Sequence, residues 1–187
     1  MMLPDTTLDI LTLGRFSIRV DGACVETVWP NETVKLFFCS LLSPLDLYIT
    51  WDRIYRSLWD VPVTPVSRDR LEQSCIEPLK VFMIKEFGFS PLITTHDGIR
   101  IDQQRIHLDA LEFHGTVMEG LRLSALDNHA AALEKFNRAK TLYVGDYLPG
   151  LPGKIITNTR TELESLYRTN CNHGRHTAHT AFQLFGL

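Results

Sequence analysis

Hydrophobic positions recur every second residue at the start of the chain and every three to four residues over most of its remaining length. Over 8–20, Phe16, Ile18 and Val20 point one way with Ser17 and Arg19 between them, the period of a strand. Asp21-Gly22 supplies two residues that tolerate positive φ, a hairpin signal, and 23–28 returns as a second strand. By this pattern the chain opens with a small antiparallel sheet.

Helical periods come next. Asn31 is placed to cap a helix whose first turn holds Glu32 and whose buried stripe is Val34, Phe37, Phe38, Leu41 and Leu42, with Pro44 ending it. Thr50 caps a second helix over 51–59, apolar at Trp51, Ile54, Tyr55 and Leu58, and 60–65 is a proline-stiffened loop. A third helix is expected over 67–87, with Leu71, Cys75, Leu79, Phe82, Met83 and Phe87 on its core side and Gly88 closing it. Pro78 lies inside that stretch. A mid-helix proline removes a hydrogen bond and costs about 3 kcal/mol, so the pattern predicts a kink at Glu77-Pro78 or two helices. A hairpin over 92–101, turning on Asp97-Gly98, succeeds it.

The remainder reads as helices. Leu108, Leu111, Met118, Leu121 and Ala125 mark one amphipathic stripe. Ala132, Leu133, Phe136, Ala139, Leu142 and Tyr143 mark a second, after a turn at Asp127-Asn128. A breaker-rich loop spans 145–153, and a third helical stretch runs over about 157–185, weakened at Asn172-His173-Gly174. Helix pairs of this size point to a tetratricopeptide-like array of about one and a half units. Its last apolar face, Leu166, Ala178, Phe182 and Phe185, lacks a next neighbour, which predicts self-association or membership of a longer protein.

Composition narrows the class. With 187 residues, 44% hydrophobic and 22% charged, the chain can bury a core as one medium domain or two small ones. Cys24, Cys39, Cys75 and Cys171 form no CxxC pair, which fits reduced thiols in a cytoplasmic protein rather than a disulfide frame or zinc site. No signal peptide is visible, and no apolar run approaches membrane-spanning length, so no membrane partner is expected. Cys171, His173, His176 and His179 drift around a helix rather than share a face, so no metal is assigned to them. No phosphate-binding glycine loop, HExxH or GxSxG occurs, so neither enzyme chemistry nor a cofactor is expected.

Charge bears directly on the helix and hairpin over 67–102. A helix backed by a hairpin is how a winged helix meets double-stranded DNA. On that reading Lys35, Arg68, Arg70, Lys80 and Lys85 reach phosphates, and His96 and Arg100 on the hairpin approach the minor groove. Yet the third helix has no net charge, its four basic residues being matched by Asp69, Glu72, Glu77 and Glu86. Residues 1–103 hold 10 Lys+Arg and 14 Asp+Glu (10 − 14 = −4), and residues 104–187 hold 9 and 8 (9 − 8 = +1). The half laid out like a DNA reader is the acidic half, whereas phosphate neutralisation supplies most DNA affinity. The run Val81-Phe82-Met83-Ile84 also cannot lie on one helix face, so at least one of these residues turns outward or into a partner. Val81, Phe82 and Ile84, with Phe182 and Phe185, are the candidate protein-binding residues.

Several segments together resemble the bacterial transcriptional activator domain proteins of the antibiotic-regulatory type. Residues 8–16 with Asp21-Gly22 are similar to that family's opening strands. Trp29 before the helix containing Lys35, and Thr50-Trp51-Asp52-Arg53-Ile54 through Leu58-Trp59, are similar to its first two helices. Asp97-Gly98-Ile99-Arg100-Ile101 stands where its wing belongs, and Leu142-Tyr143-Val144-Gly145-Asp146-Tyr147-Leu148-Pro149-Gly150 is similar to the loop after its first helical pair. The resemblance implies an α+β architecture: an OmpR-type winged helix at about 1–103, then an incomplete all-α tetratricopeptide-like domain at about 104–187. It implies a DNA-binding transcriptional regulator whose helical half binds a partner or itself. The departures fall on the DNA-facing side, where the family's basic residues around the first and third helices are missing and Ile99 replaces an aromatic. The alternative is therefore a winged helix that no longer reads DNA and serves as a protein–protein interaction module.

Overall fold

The computed structural model describes residues 7–58 and 64–172. The fold is mixed α+β, with two small sheets and seven α-helices among these residues. β1 (Leu8–Leu11), β2 (Ser17–Val20) and β3 (Ala23–Val25) form an antiparallel meander, and Asp21 (φ 50°) and Gly22 (φ 80°) make its turn. α1 (Glu32–Leu42) buries Val34, Phe37, Phe38, Leu41 and Leu42, and the Asn31 side chain caps it by accepting from the Val34 N–H at 2.9 Å. β4 (Tyr48–Thr50) leads into α2 (Trp51–Leu58).

The stretch expected as a kinked or divided helix stays helical over 65–87. α3 (Pro65–Leu71) begins at a capping box, in which Thr64 Oγ1 accepts from the Ser67 N–H and Ser67 Oγ accepts from the Thr64 N–H. α4 (Glu77–Phe87) comes after a single π-helical turn, Glu72–Ile76. In that turn the Glu77 N–H bonds to the Glu72 carbonyl, five residues back. Pro78 has no N–H and its ring collides with the carbonyl four residues before it in a regular helix. The widened turn lies immediately ahead of the ring and absorbs it without a break. Gly88, at φ 72°, ends α4 in a left-handed cap.

β5 (Leu92–Thr94) and β6 (Gly98–Ile101) form the expected hairpin, with β4 on the far side of β6. The turn lies one residue earlier than the sequence indicates. The Thr95 N–H donates to the Gly98 carbonyl at 2.8 Å, which leaves His96 and Asp97 at the tip. Gly98 is already in the strand and pairs with Thr50. A Cβ there would lie 2.1 Å from the Ile49 carbonyl oxygen, so close strand approach, not positive φ, requires this glycine.

β7 (Ile106–Leu108) lies parallel to β1 and completes the first sheet in the order β3-β2-β1-β7. It delivers Asp109, the first residue of α5 (Asp109–Ala125), into the core. There the carboxylate accepts from the Thr12 N–H (2.8 Å), the Thr12 hydroxyl (2.6 Å) and the Leu13 N–H (3.0 Å). This anchor sets the rotation of α5. Its buried residues are Ala110, Phe113, Val117 and Gly120, whereas Met118 and Leu121, expected on the core side, are exposed. Gly120 lets α6 (His129–Leu142) approach, because a Cβ there would meet the Phe136 ring at 2.6 Å. Leu133, also expected inside, is exposed.

α7 (Lys154–Asn170) starts three residues before the predicted helix. The loop before it folds back on the first sheet. Gly14 N–H donates to the Asp146 carbonyl at 2.9 Å and Leu148 N–H to the Thr12 carbonyl at 2.7 Å. Tyr147 is fully buried, its hydroxyl 3.2 Å from Ser43 Oγ, and burial pushes its phenol pKa far up. Arg160 of α7 donates to the carbonyls of Tyr147, Leu148 and Leu151, and Thr159 Oγ1 donates to the Ser43 carbonyl. One hydrophobic core runs through both halves, from Leu8 and Phe37 to Phe113 and Leu163. No helix among the described residues is long and apolar enough to cross a membrane.

Candidate nucleic-acid interface

Trp51 organises the surface on which the sequence pattern places DNA contact. It is the first residue of α2 and is buried. Its indole N–H donates to the His96 carbonyl at 2.8 Å, and its backbone N–H donates to the Asp97 carbonyl at 3.0 Å. Both acceptors are at the hairpin tip. The Arg68 guanidinium of α3 lies over the same indole, 4.9 Å from its centroid. One aromatic side chain thus ties together α2, α3 and the hairpin. Periodicity places Trp51 only in the core of its helix; its second function depends on a contact 45 residues away.

The seven candidate cations are not equally available. Lys80 Nζ lies 2.7 Å from Glu77 and 3.4 Å from Glu72, and these carboxylates, Glu77 first, hold its pKa above the usual lysine value. The Lys80 ammonium in turn lowers the Glu77 pKa. Lys35 is 3.8 Å from Glu32 and Lys85 is 3.6 Å from Glu86. His96 Nδ1 is 2.6 Å from Asp97. Arg68 rests on Trp51 without a carboxylate partner among the described residues. Arg70 and Arg100 are exposed and form no salt bridge with another described residue. Exposed ion pairs contribute only about 0–1 kcal/mol each. Such pairing reshapes the field a phosphate meets more than it stabilises the fold.

The run Val81–Ile84 of α4 divides as helix geometry requires. Val81 is 63% and Ile84 54% exposed, and Met83 is fully buried. Phe82 is not available to a partner: it is 4% exposed, with its ring centroid 4.6 Å from Trp29 and edge-on to Phe87. It is therefore a core residue and not a docking residue, because its ring packs against both Trp29 and Phe87. Phe182 and Phe185 lie outside the described residues, as do His173, His176 and His179. Cys171 is buried, and desolvation raises its thiol pKa. Among the described residues no cluster of His, Cys, Asp and Glu could hold a metal ion.

No protein-family profile and no curated protein sequence matches the chain. Its architecture is a mixed α+β fold in which a helix–hairpin surface joins a helical second half. That fold is similar to the solved structure of Mycobacterium tuberculosis EmbR in complex with a low-affinity phosphopeptide, at a TM-score of 0.61 and 16% identity. The match covers 88% of this chain and 43% of that one, so this chain spans less than half the length of that protein. At this identity the likeness is one of fold.

Proposed function

We propose that this chain is a transcriptional regulator of the bacterial transcriptional activator domain type. Residues 1–103 form an OmpR-type winged-helix unit that binds double-stranded DNA, and residues 104–187 form a tetratricopeptide-like unit that binds a protein partner or a second copy. The observation that supports this reading is that Trp51 joins the start of the 65–87 helix, through Arg68, to the hairpin tip. In a winged helix this geometry sets the helix in the major groove and the hairpin against the flanking phosphates. The resemblance in fold to EmbR supports the regulator class. Arg70 and Arg100 act as the leading phosphate contacts, and Arg68 contributes from its seat on Trp51.

The test is a mobility-shift titration of random duplex at low salt. Non-specific binders reach Kd of roughly 10⁻⁴–10⁻⁶ M even at physiological salt. A shift within that range, lost in the Arg70→Glu/Arg100→Glu double variant, is the expected result. No shift at about 100 μM protein overturns DNA reading.

The second reading, a protein-interaction module, is favoured by a specific pair of observations. Val81 and Ile84 are exposed on the helix that should meet DNA, and Lys80 between the carboxylates of Glu72 and Glu77 is neutralised. On this reading Val81→Lys disrupts complex formation, whereas on the DNA reading the added charge strengthens duplex binding.

A further inference from the structure

A second cationic feature belongs to neither the helix–hairpin surface nor the sequence-based candidates. α2 and the first turn of α7 border an open groove of about 340 Å³. Arg53 and Arg56 line it from one side and Lys154 from the other, with Asp52 as the one acidic residue of the lining. The lining charge is therefore +2 (three cations less one carboxylate). Asp52 accepts from Arg56 Nε at 3.0 Å, which fixes that guanidinium. Arg53 and Lys154 are exposed and make no salt bridge with another described residue. Ser57 and Asn158 add neutral hydrogen-bonding groups, and Ile155, itself buried, closes the lining.

Folding brings these like charges to one groove from distant parts of the sequence, an arrangement that an anion relieves. Guanidinium groups present a planar fork that matches phosphate oxygens, and an ammonium adds a compact point charge. The volume is at the low end of small-molecule sites, roughly 300–1,000 Å³, and six of the seven lining residues are charged or polar. We propose that this groove is a binding site for a small phosphate-bearing anion that bridges α2 and α7. Arg53 and Lys154 hold the phosphate, and Arg56, set by Asp52, supports it. The site does not depend on DNA reading. It does have a route to the candidate interface, because α2 begins at Trp51, which holds the hairpin tip.

The experiment uses the full chain and pyrophosphate as probe, read by thermal unfolding and calorimetric titration, with KCl at matched ionic strength as the control. Inorganic phosphate and a sugar phosphomonoester are comparison arms that separate free phosphate from an organic phosphate as the source. Expected is a rise of about 3–6 °C in Tm at ten times Kd. Arg53→Gln and Lys154→Gln should each weaken binding by about tenfold or more, and Arg122→Gln, at an exposed cation outside both the groove and the helix–hairpin surface, should not. Both altered side chains are exposed, and an unchanged circular dichroism spectrum shows that the variants fold. The proposal is overturned if pyrophosphate does no more than KCl, or if it acts equally on Arg53→Gln, Lys154→Gln and wild type. It is also overturned if these two variants lose duplex binding while pyrophosphate fails to bind the wild type, which makes the groove a nucleic-acid contact.

Discussion

Salt dependence gives the sharpest quantitative test of the proposed DNA interface. Affinity for duplex DNA falls with salt at a log–log slope of about −0.9 per phosphate neutralised. If all seven candidate cations engaged, with His96 protonated, the slope would be about −6.3, and raising salt fourfold would weaken binding about 6,000-fold. Carboxylates lie close to Lys35, Lys80, Lys85 and His96, leaving Arg68, Arg70 and Arg100. Three contacts give a slope of about −2.7 and a loss of only about 40-fold over the same change. Fluorescence anisotropy of a labelled duplex between about 50 and 200 mM salt distinguishes the two. Removing the carboxylate closest to Lys80, in Glu77→Gln, should release that lysine and steepen the slope by about one. A wild-type slope steeper than about −5, or no change in Glu77→Gln, would refute the claim that intramolecular pairing silences these cations.

Further predictions concern the frame that holds the surface. Asp109→Ala leaves three buried backbone N–H groups, those of Thr12, Leu13 and Ala110, and the Thr12 hydroxyl without their acceptor, and should cost about 2–5 kcal/mol in urea denaturation; a loss below about 1 kcal/mol would show that the anchor is dispensable. Burial pushes the Tyr143 phenol up to about 12. Its folded pKa thus exceeds the unfolded value of about 10, so its contribution is complete below pH 10 and is lost as pH rises towards 12. A Tyr143→Phe variant should lose less stability over that window than wild type. In the native protein a thiol reagent should modify Cys24 rapidly, because it alone of the four cysteines is exposed. Fast reaction of more than one thiol would contradict the burial of Cys39, Cys75 and Cys171.

The sequence is most informative where local chemistry decides the structure. The Asn31 cap, the α1 stripe and the Asp21-Gly22 turn involve neighbours a few residues apart, and all three are found. β7 is not legible, because a parallel strand takes its identity from a partner about a hundred residues away, not from its own pattern. The α5 stripe is displaced for the same reason: Asp109 fixes the helix rotation through Thr12 and Leu13. Pro78 stands out as a disturbance, but a single π turn is a remedy that periodicity does not specify. For the candidate site, the zero net charge of the third helix is visible in composition. The three-residue spacing of Glu77 and Lys80 is a legible pairing signal. The third member, Glu72, lies eight residues from Lys80, and the widened turn lies between them. The groove of Arg53, Arg56 and Lys154 leaves no local trace, because its two sides come from different halves of the chain.

The contact between Thr12 and Asp109 also governs when the N-terminal sheet can be finished. Its partners are 97 residues apart, and the pairing of Leu13 with Tyr147 spans more. At roughly 5–20 residues per second, a ribosome needs about 5–20 s after emitting Thr12 before Asp109 exists to receive its amide. During that interval the inner edge of β1 is an open strand edge, the kind of template that recruits neighbouring chains. A nascent chain stalled near residue 103 should therefore be more prone to aggregation than one stalled after residue 150.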